Sequence, residues 1–461
     1  MLKFFNILIL FFLIIFTESS YSIEIRIADS LVVAVEDIVI NNTSDFIVSR
    51  SYEKIIALWD TDKSNCKFLQ GHSAEVKTIA FNNFSKYLIS GSWDNTLILW
   101  DLESASVRKV FRGHTNILND LKFAHSGKIV ASASDDRSLI IWDLSIYNLM
   151  ASKSSQMGTN QNISQAEKSL ISSSNQFIKL SSSDEKVFRE ETVLTGHKNS
   201  LGSLDFSADD KFIISASNDK SIKIWDVEKA MCKATIVCDK PIAIVKFCSD
   251  GIHFVNFSNG DSVLRIRNLN QLDSLKTIKI GSNKITEIGI NPVNNTVAVG
   301  DKSGKIVIID IDKNQIIHTL NDSQDGIRAL EFSADGKLLA AGGRDKRIFV
   351  WNTEKYELKT SFSNHSNFIN CLTFFPDNKY LLSGSKDGSV VISDLSNGDK
   401  ILQLYSLKNN EWIALSGDGR FDCSENAPYS AVFYDKSIEF KADDFTSHNF
   451  EKGLIKKLLN K

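Results

Sequence analysis

Residues His72 to Asp101 read HSAEVKTIAFNNFSKYLISGSWDNTLILWD. Apolar and polar side chains alternate from Val76 to Phe81, and Asn82-Asn83 then offers a turn. A second run covers Lys86 to Gly91. The turn Trp93-Asp94-Asn95 leads to a third run, Leu97 to Trp100. A fourth spans Val107 to Phe111, after which Gly113-His114 starts the pattern again. Period-two alternation broken by Asn, Asp and Gly is the mark of short antiparallel strands. Four strands in about 40–45 residues, opened by Gly-His and closed by Trp-Asp, make one unit of a repeat.

The unit recurs along the chain. Trp-Asp stands at Trp59-Asp60, Trp100-Asp101, Trp142-Asp143 and Trp225-Asp226, with the variant Trp351-Asn352. From Trp225 to Trp351 is three steps of 42 residues, passing through Arg267 and Ile309 at the ends of β-like runs; one further step reaches Ser393. The period therefore outlives the tryptophan, and third strands are expected to end near 59, 100, 142, 225, 267, 309, 351 and 393. The pairs Gly71-His72, Gly113-His114 and Gly196-His197, together with the Trp-Asp pairs, closely resemble the WD-repeat (WD40) family. The resemblance implies an all-β fold, a single β-propeller over residues 23–406. Eight blades are expected, with seven plus an extra packed unit as the alternative. Blades bury their faces only against neighbours, so the ring must close. Ile23 to Ile27 is expected to complete the last blade, as is usual in the family.

The interval from Trp142 to Trp225 is doubled, and residues 145–191 contain 12 serines with neither Gly-His nor Trp-Asp. This reads as a solvated loop between the third and fourth strands of the third blade. An eroded blade, with Leu170-Ile171 and Phe177 to Leu180 as remnants, is the alternative.

The chain has a net charge of −3 with acids and bases mixed throughout, which argues against a nucleic-acid binder. Lys3, the apolar run Phe4 to Phe16, and Ser20-Tyr21-Ser22 form a signal-peptide pattern over residues 1–22. Export to the periplasm or medium is expected, with an uncleaved N-terminal anchor as the alternative and no other membrane contact. The six cysteines show no metal-ligand spacing, so no zinc site is expected. Cys371 falls in an alternating strand and is expected to be a buried free thiol.

Three sets of residues imitate a catalytic triad. They are His72, Ser90, Asp94 and Trp100; His114, Ser132, Asp136 and Trp142; and His197, Ser215, Asp219 and Trp225. A nucleophilic site is built once, beside an oxyanion hole. Three copies at the repeat period point instead to a structural network in each blade, as the resemblance also implies. Unit eight keeps His365, Ser383 and Asp387 but has Ser393 for the tryptophan, so its network is expected to be weaker. No catalytic residue, cofactor or metal ligand is assigned. Asp335-Gly336, Asp250-Gly251 and Ser126-Gly127 read as hairpin turns.

In the propeller architecture the loops after Gly-His and the turns before the third strands open onto one upper face. The expected partner-binding residues there are Glu75, Lys77, Trp93, Ile117, Asn119, Lys284, Arg328, Arg344, Phe368 and Lys386. Aromatic and basic residues are the types enriched at binding hot spots. The function expected is a non-enzymatic scaffold, monomeric, holding protein or peptide partners.

Residues 407–461 form an extension expected to end in a helix. Glu411 to Leu415, Gly417 to Asp422 and the ending Phe450 to Leu459 resemble the post-repeat segment of bacterial WD-repeat proteins that carry caspase-like peptidase domains. No room for such a domain follows in this chain, so the peptidase activity is not carried over. An accessory subunit for a separate peptidase is the alternative function, and an exported propeller enzyme a third.

Overall fold

The structure is a computed structural model that describes residues 24–27, 32–82, 87–145, 147, 190–408, 410–425, 427, 431–435, 438–440 and 450–459. The signal segment and most of residues 145–191 lie outside the described residues. Eight antiparallel sheets follow one another in chain order, each with its strands in sequence order. Blade one comprises Val35–Ile40, Phe46–Ser51, Ile56–Asp60 and Asn65–Leu69. Blade two comprises Val76–Phe81, Tyr87–Ser92, Thr96–Asp101 and Ser106–Arg112. Blades three to eight span 118–194, 201–237, 242–279, 285–320, 327–362 and 369–406. The third strands end at Asp60, Asp101, Asp143, Asp226, Asn268, Asp310, Asn352 and Asp394, each one residue past the expected position. Leu139–Asp143 pairs directly with Glu191–Leu194, so the serine-rich stretch joins the third and fourth strands of blade three.

The core is eight sandwiches rather than one centre. Val48, Leu58 and Leu69 of blade one pack on Val76, Leu88 and Trp100 of blade two. Further clusters join blades two and three, three and four, and so on around the ring. Trp59, Trp100, Trp142, Trp225 and Trp351 are fully buried in these layers. The hairpin glycines Gly127, Gly251 and Gly336 have φ of 65°, 64° and 69°, a left-handed conformation that glycine adopts without Cβ strain.

Ring closure departs from the sequence expectation. The N-terminal strand Glu24–Ile27 does not complete blade eight. It pairs antiparallel with Ala431–Asp435 of the C-terminal extension, Glu24 opposite Tyr434 and Ile27 opposite Ala431. Blade eight already has a fourth strand, Lys400–Ser406, and is extended by Trp412–Ser416 and Phe421–Cys423 into a six-stranded sheet. Closure comes from packing: Val35, Ile47 and Trp59 of blade one share a cluster with Leu382, Ile392 and Leu402 of blade eight. A short helix, α1 (Leu454–Leu458), adds Leu454 and Ile455 to that same cluster. The edge-on contact of Trp59 with Trp412, centroids 6.0 Å apart, joins the first blade to the extension. Asp422 accepts the backbone N–H of Gly453 at 2.8 Å, and Ser64 Oγ accepts that of Lys456 at 2.7 Å. The extension thus clasps the seam between last and first blades.

Candidate interaction face

The histidine networks set the geometry of the upper face. In blade two, His72 Nδ1 lies 2.9 Å from Asp94 Oδ2, and His72 Nε2 lies 2.7 Å from Ser90 Oγ. Trp100 Nε1 donates to the same Ser90 Oγ at 2.8 Å. Blades three and four repeat these contacts with His114, Asp136, Ser132 and Trp142, and with His197, Asp219, Ser215 and Trp225. All of these imidazoles are enclosed. Burial alone would raise the Asp94 carboxyl; hydrogen bonds from His72, Thr96 and the Ser73 N–H override it and hold the group well below the usual range. Asp219 is pulled down to about 2 in the same way, against burial, by Ser221, the Lys198 N–H and His197. Blade eight keeps the arrangement without its tryptophan: His365 reaches Asp387 at 3.0 Å and Ser383 at 2.7 Å. There Asn364 Nδ2 donates to Ser393 Oγ at 2.9 Å, so a polar pair replaces the indole. In blade seven, where Ser323 stands for histidine, Trp351 Nε1 donates to Asp322 Oδ2 instead.

Each network pulls a turn against the loop that enters its blade. One backbone bond recurs whether or not the blade has its histidine: the N–H of Trp93 donates to the carbonyl of Glu75 at 2.9 Å, and that of Asp135 to Ile117. The N–H groups of Lys302, Arg344 and Lys386 do the same to Lys284, Gly326 and Phe368. Glu75, Trp93, Ile117, Lys284, Arg344, Phe368 and Lys386 therefore occupy equivalent places around one rim. Lys77, Asn119 and Arg328 lie just inside it, on the innermost strands. Trp93 is 45% exposed, and Lys284, Arg328, Arg344 and Lys386 are exposed. The Phe368 ring is half-buried and flanked by two cations, the Arg344 guanidinium at 5.8 Å and Lys386 Nζ at 5.9 Å. Asn119 is already engaged: its amide donates to Asp135 and to the Leu201 carbonyl, tying blade three to blade four. Sequence reasoning missed Tyr52, 56% exposed in the turn of blade one. It sits after Ser51 as Trp93 sits after Ser92, a register that was readable but unsupported by any Gly-His pair.

The channel wall carries Asp37, Asp120, Lys122, Asp205, Lys246, Glu287 and Glu331, all on innermost strands. An innermost strand has an unpaired edge, and two of these acids cap it. Asp120 accepts the Leu204 N–H and Asp205 the Phe247 N–H, each at 2.9 Å, from the next blade. Glu331 is exposed toward the channel, inside the ring of blades. The loss of hydration pushes its carboxyl up to about 7, against the pull of Lys246 and Lys122.

On the opposite face, Asp250, His253 and Asp312 gather three potential metal ligands. The hydrogen bonds there are already satisfied within the protein. Asp250 Oδ2 accepts from His253 Nδ1 at 2.6 Å and from Asn295 Nδ2 at 2.9 Å, while its Oδ1 accepts the Ile252 and His253 N–H groups. Asn295 also donates to Asp312. This is a polar latch between blades five and six.

The family model described as WD domain, G-beta repeat, matches residues 63–101, 105–143, 188–226, 314–352 and 356–394. The chain is a WD40-repeat propeller. The five matched stretches each end on the third strand of blades two, three, four, seven or eight, and blades five and six, which lack the tryptophan, fall between them. Eukaryotic translation initiation factor 3 subunit I of Drosophila mojavensis is 26% identical over 160 residues, 31% of this chain and 48% of that protein. Apoptotic protease-activating factor 1 of Mus musculus is 27% identical over 150 residues, 31% of this chain and 11% of that protein. The chain spans about half the length of the initiation-factor relatives it matches. Among solved structures, the computationally designed Ika8 protein superposes with a TM-score of 0.60 at 20% identity, covering 78% of this chain and 96% of that one. That likeness concerns the fold alone.

Proposed function

We propose that this WD40 propeller is a non-enzymatic scaffold that holds protein or peptide partners on its upper face. The observation that carries the reading is the rim itself: equivalent backbone bonds bring Trp93, Phe368 and the basic side chains Arg344 and Lys386 to one face. Exposed aromatic surface flanked by cations is the composition of a binding hot spot. The triad-like sets repeat blade by blade and are engaged in packing the turns, which supports a scaffold over an enzyme. The initiation-factor relatives are by name subunits of a larger factor, which favours a partner-holding role. The test is a Trp93→Ala, Lys77→Glu double variant with unchanged melting, used as bait beside the parent. Loss of the parent's partners is expected; equal recovery overturns the upper-face site.

Export of a monomeric mature chain beginning near Ile23 belongs to the same proposal, motivated by the apolar run and the Ser20-Tyr21-Ser22 step. N-terminal sequencing of the periplasmic or secreted fraction tests it, and Met1 on a cytoplasmic protein refutes it. The extension favours one second reading, an accessory subunit for a separate caspase-like peptidase, because its sequence resembles segments found beside such domains.

A further inference from the structure

We propose that the seam between blades eight and one carries a socket for the imidazole of a histidine presented by a protein partner. In blades two, three, four and eight a histidine of the chain itself rests on a serine hydroxyl at 2.7–2.8 Å and under an aspartate. Blade one has the same surroundings without that histidine. The strand pairing Val35 with Ser51 aligns with Val76 and Ser92 in blade two. Ser49, Ser51, Glu53, Ile55 and Ala57 then stand where blade two has Ser90, Ser92, Asp94, Thr96 and Ile98. These residues line a cavity of about 210 Å³, closed on its other side by Leu407 and Lys408 at the start of the C-terminal extension.

Two further differences suit the socket to a guest. Trp59 Nε1 is 3.4 Å from Ser49 Oγ, against 2.8 Å for the matching pairs of blades two to four, so the hydroxyl is less committed. Ala57 replaces Ile98, which widens the slot. An imidazole meets both polar ends: one nitrogen reaches Ser49 Oγ at the floor, and the other faces the Glu53 carboxylate at the mouth. Glu53 follows Tyr52 in the exposed turn of blade one, so the mouth opens on the upper face. For its macromolecular partner this inference rests on the upper-face reading; the socket chemistry is tested apart from it.

The full chain, with ¹⁵N in its seven tryptophans, is titrated with N-acetylhistidine methylamide. The Trp59 indole resonance should move saturably. Those of Trp100, Trp142 and Trp225, whose serines are covered by the chain's own histidines, should stay in place. Ser49→Ala removes the hydroxyl on which the imidazole would rest and should weaken binding at least about tenfold. Glu53→Gln, an isosteric change at an exposed turn residue, should weaken it as well. The proposal is overturned if Trp59 does not respond, which would mean the slot is closed by the chain itself. Undiminished affinity in both variants, or equal affinity for N-acetylarginine methylamide, overturns it too. The probe is a free amino-acid derivative, so this result and the partner capture through Trp93 fail independently.

Discussion

At the scale of single residues, the His/Ser/Asp/Trp sets convert polar groups into packing devices. A buried serine hydroxyl accepts an indole N–H and meets an imidazole, and the imidazole is held by a carboxylate at the turn. Removing one member leaves the others unsatisfied. Asp219→Ala should cost roughly 1–3 kcal/mol, and Trp225→Ala roughly 3–5 kcal/mol through the cavity it leaves. Denaturant melts of the two variants check both figures. The sign of the pH dependence follows from the carboxylates. Asp94, Asp136 and Asp387 are held low and Asp219 sits at about 2, all below the unfolded carboxylate value. Their contribution is complete above about pH 4 and is lost as pH falls toward the folded values. Acid unfolding followed by tryptophan fluorescence should therefore begin below about pH 4, and Asp219→Asn should flatten it. Glu331 runs the other way. Its folded carboxyl is raised to about 7, so as pH rises the unfolded chain ionises first and stability is lost on the way to neutrality. Glu331→Gln should raise the melting temperature at pH 8 and leave it unchanged at pH 4.

At the scale of elements, what the sequence made legible was whatever the repeat writes locally. Gly-His, the turn aspartate and Trp-Asp lie within one unit, so strand ends came within one residue even in blades five and six, where the tryptophan is lost. The partner of the N-terminal strand was not legible. Alternation at Ile23 to Ile27 says strand, but nothing in it selects blade eight over Ala431–Asp435, some 400 residues away. The same holds for Trp412–Ser416: a family resemblance marked the stretch without showing that it lengthens blade eight. The rim residues were placed by register, which is why Trp93, beside a complete network, was found and Tyr52, beside none, was missed. The clasp at the seam has a measurable worth. Leu454 and Ile455 are fully buried between the first and last blades. Either changed to alanine should cost about 2–5 kcal/mol. If α1 were a passenger rather than the clasp, urea midpoints of Leu454→Ala and Ile455→Ala would match the parent.

At the scale of the whole molecule, a closed ring of nearest-neighbour contacts is only as firm as its softest blade. Blade five is the candidate. Asn256, at the register of Ser90 and Ser215, is fully buried, and neither its amide nitrogen nor its oxygen has a hydrogen-bond partner in the protein. Ser258 Oγ nearby is in the same position. Arg267 replaces the blade tryptophan and is buried with its Nε unpaired. A buried polar group left unsatisfied costs about 1–3 kcal/mol. Blade six also lacks histidine and tryptophan, but it solves the problem differently: Val299 and Ile309 fill the two positions, both fully buried, with no polar atom to satisfy. Blade seven keeps Trp351 and gives its indole to Asp322. At the serine and tryptophan positions the deficit therefore falls on blade five, while blade six leaves Asp301 Oδ2 and Asn314 Oδ1 unpaired elsewhere. Amide hydrogen exchange should be faster in residues 242–279 than in the matching strands of blades four and six. Asn256→Val, which copies blade six, should recover about 1–3 kcal/mol of the lost stability and slow that exchange. Equal protection in blades five and six of the parent would remove the premise. A variant no more stable than the parent would mean that the Asn256 amide carries no unsatisfied cost, and that the ring opens elsewhere.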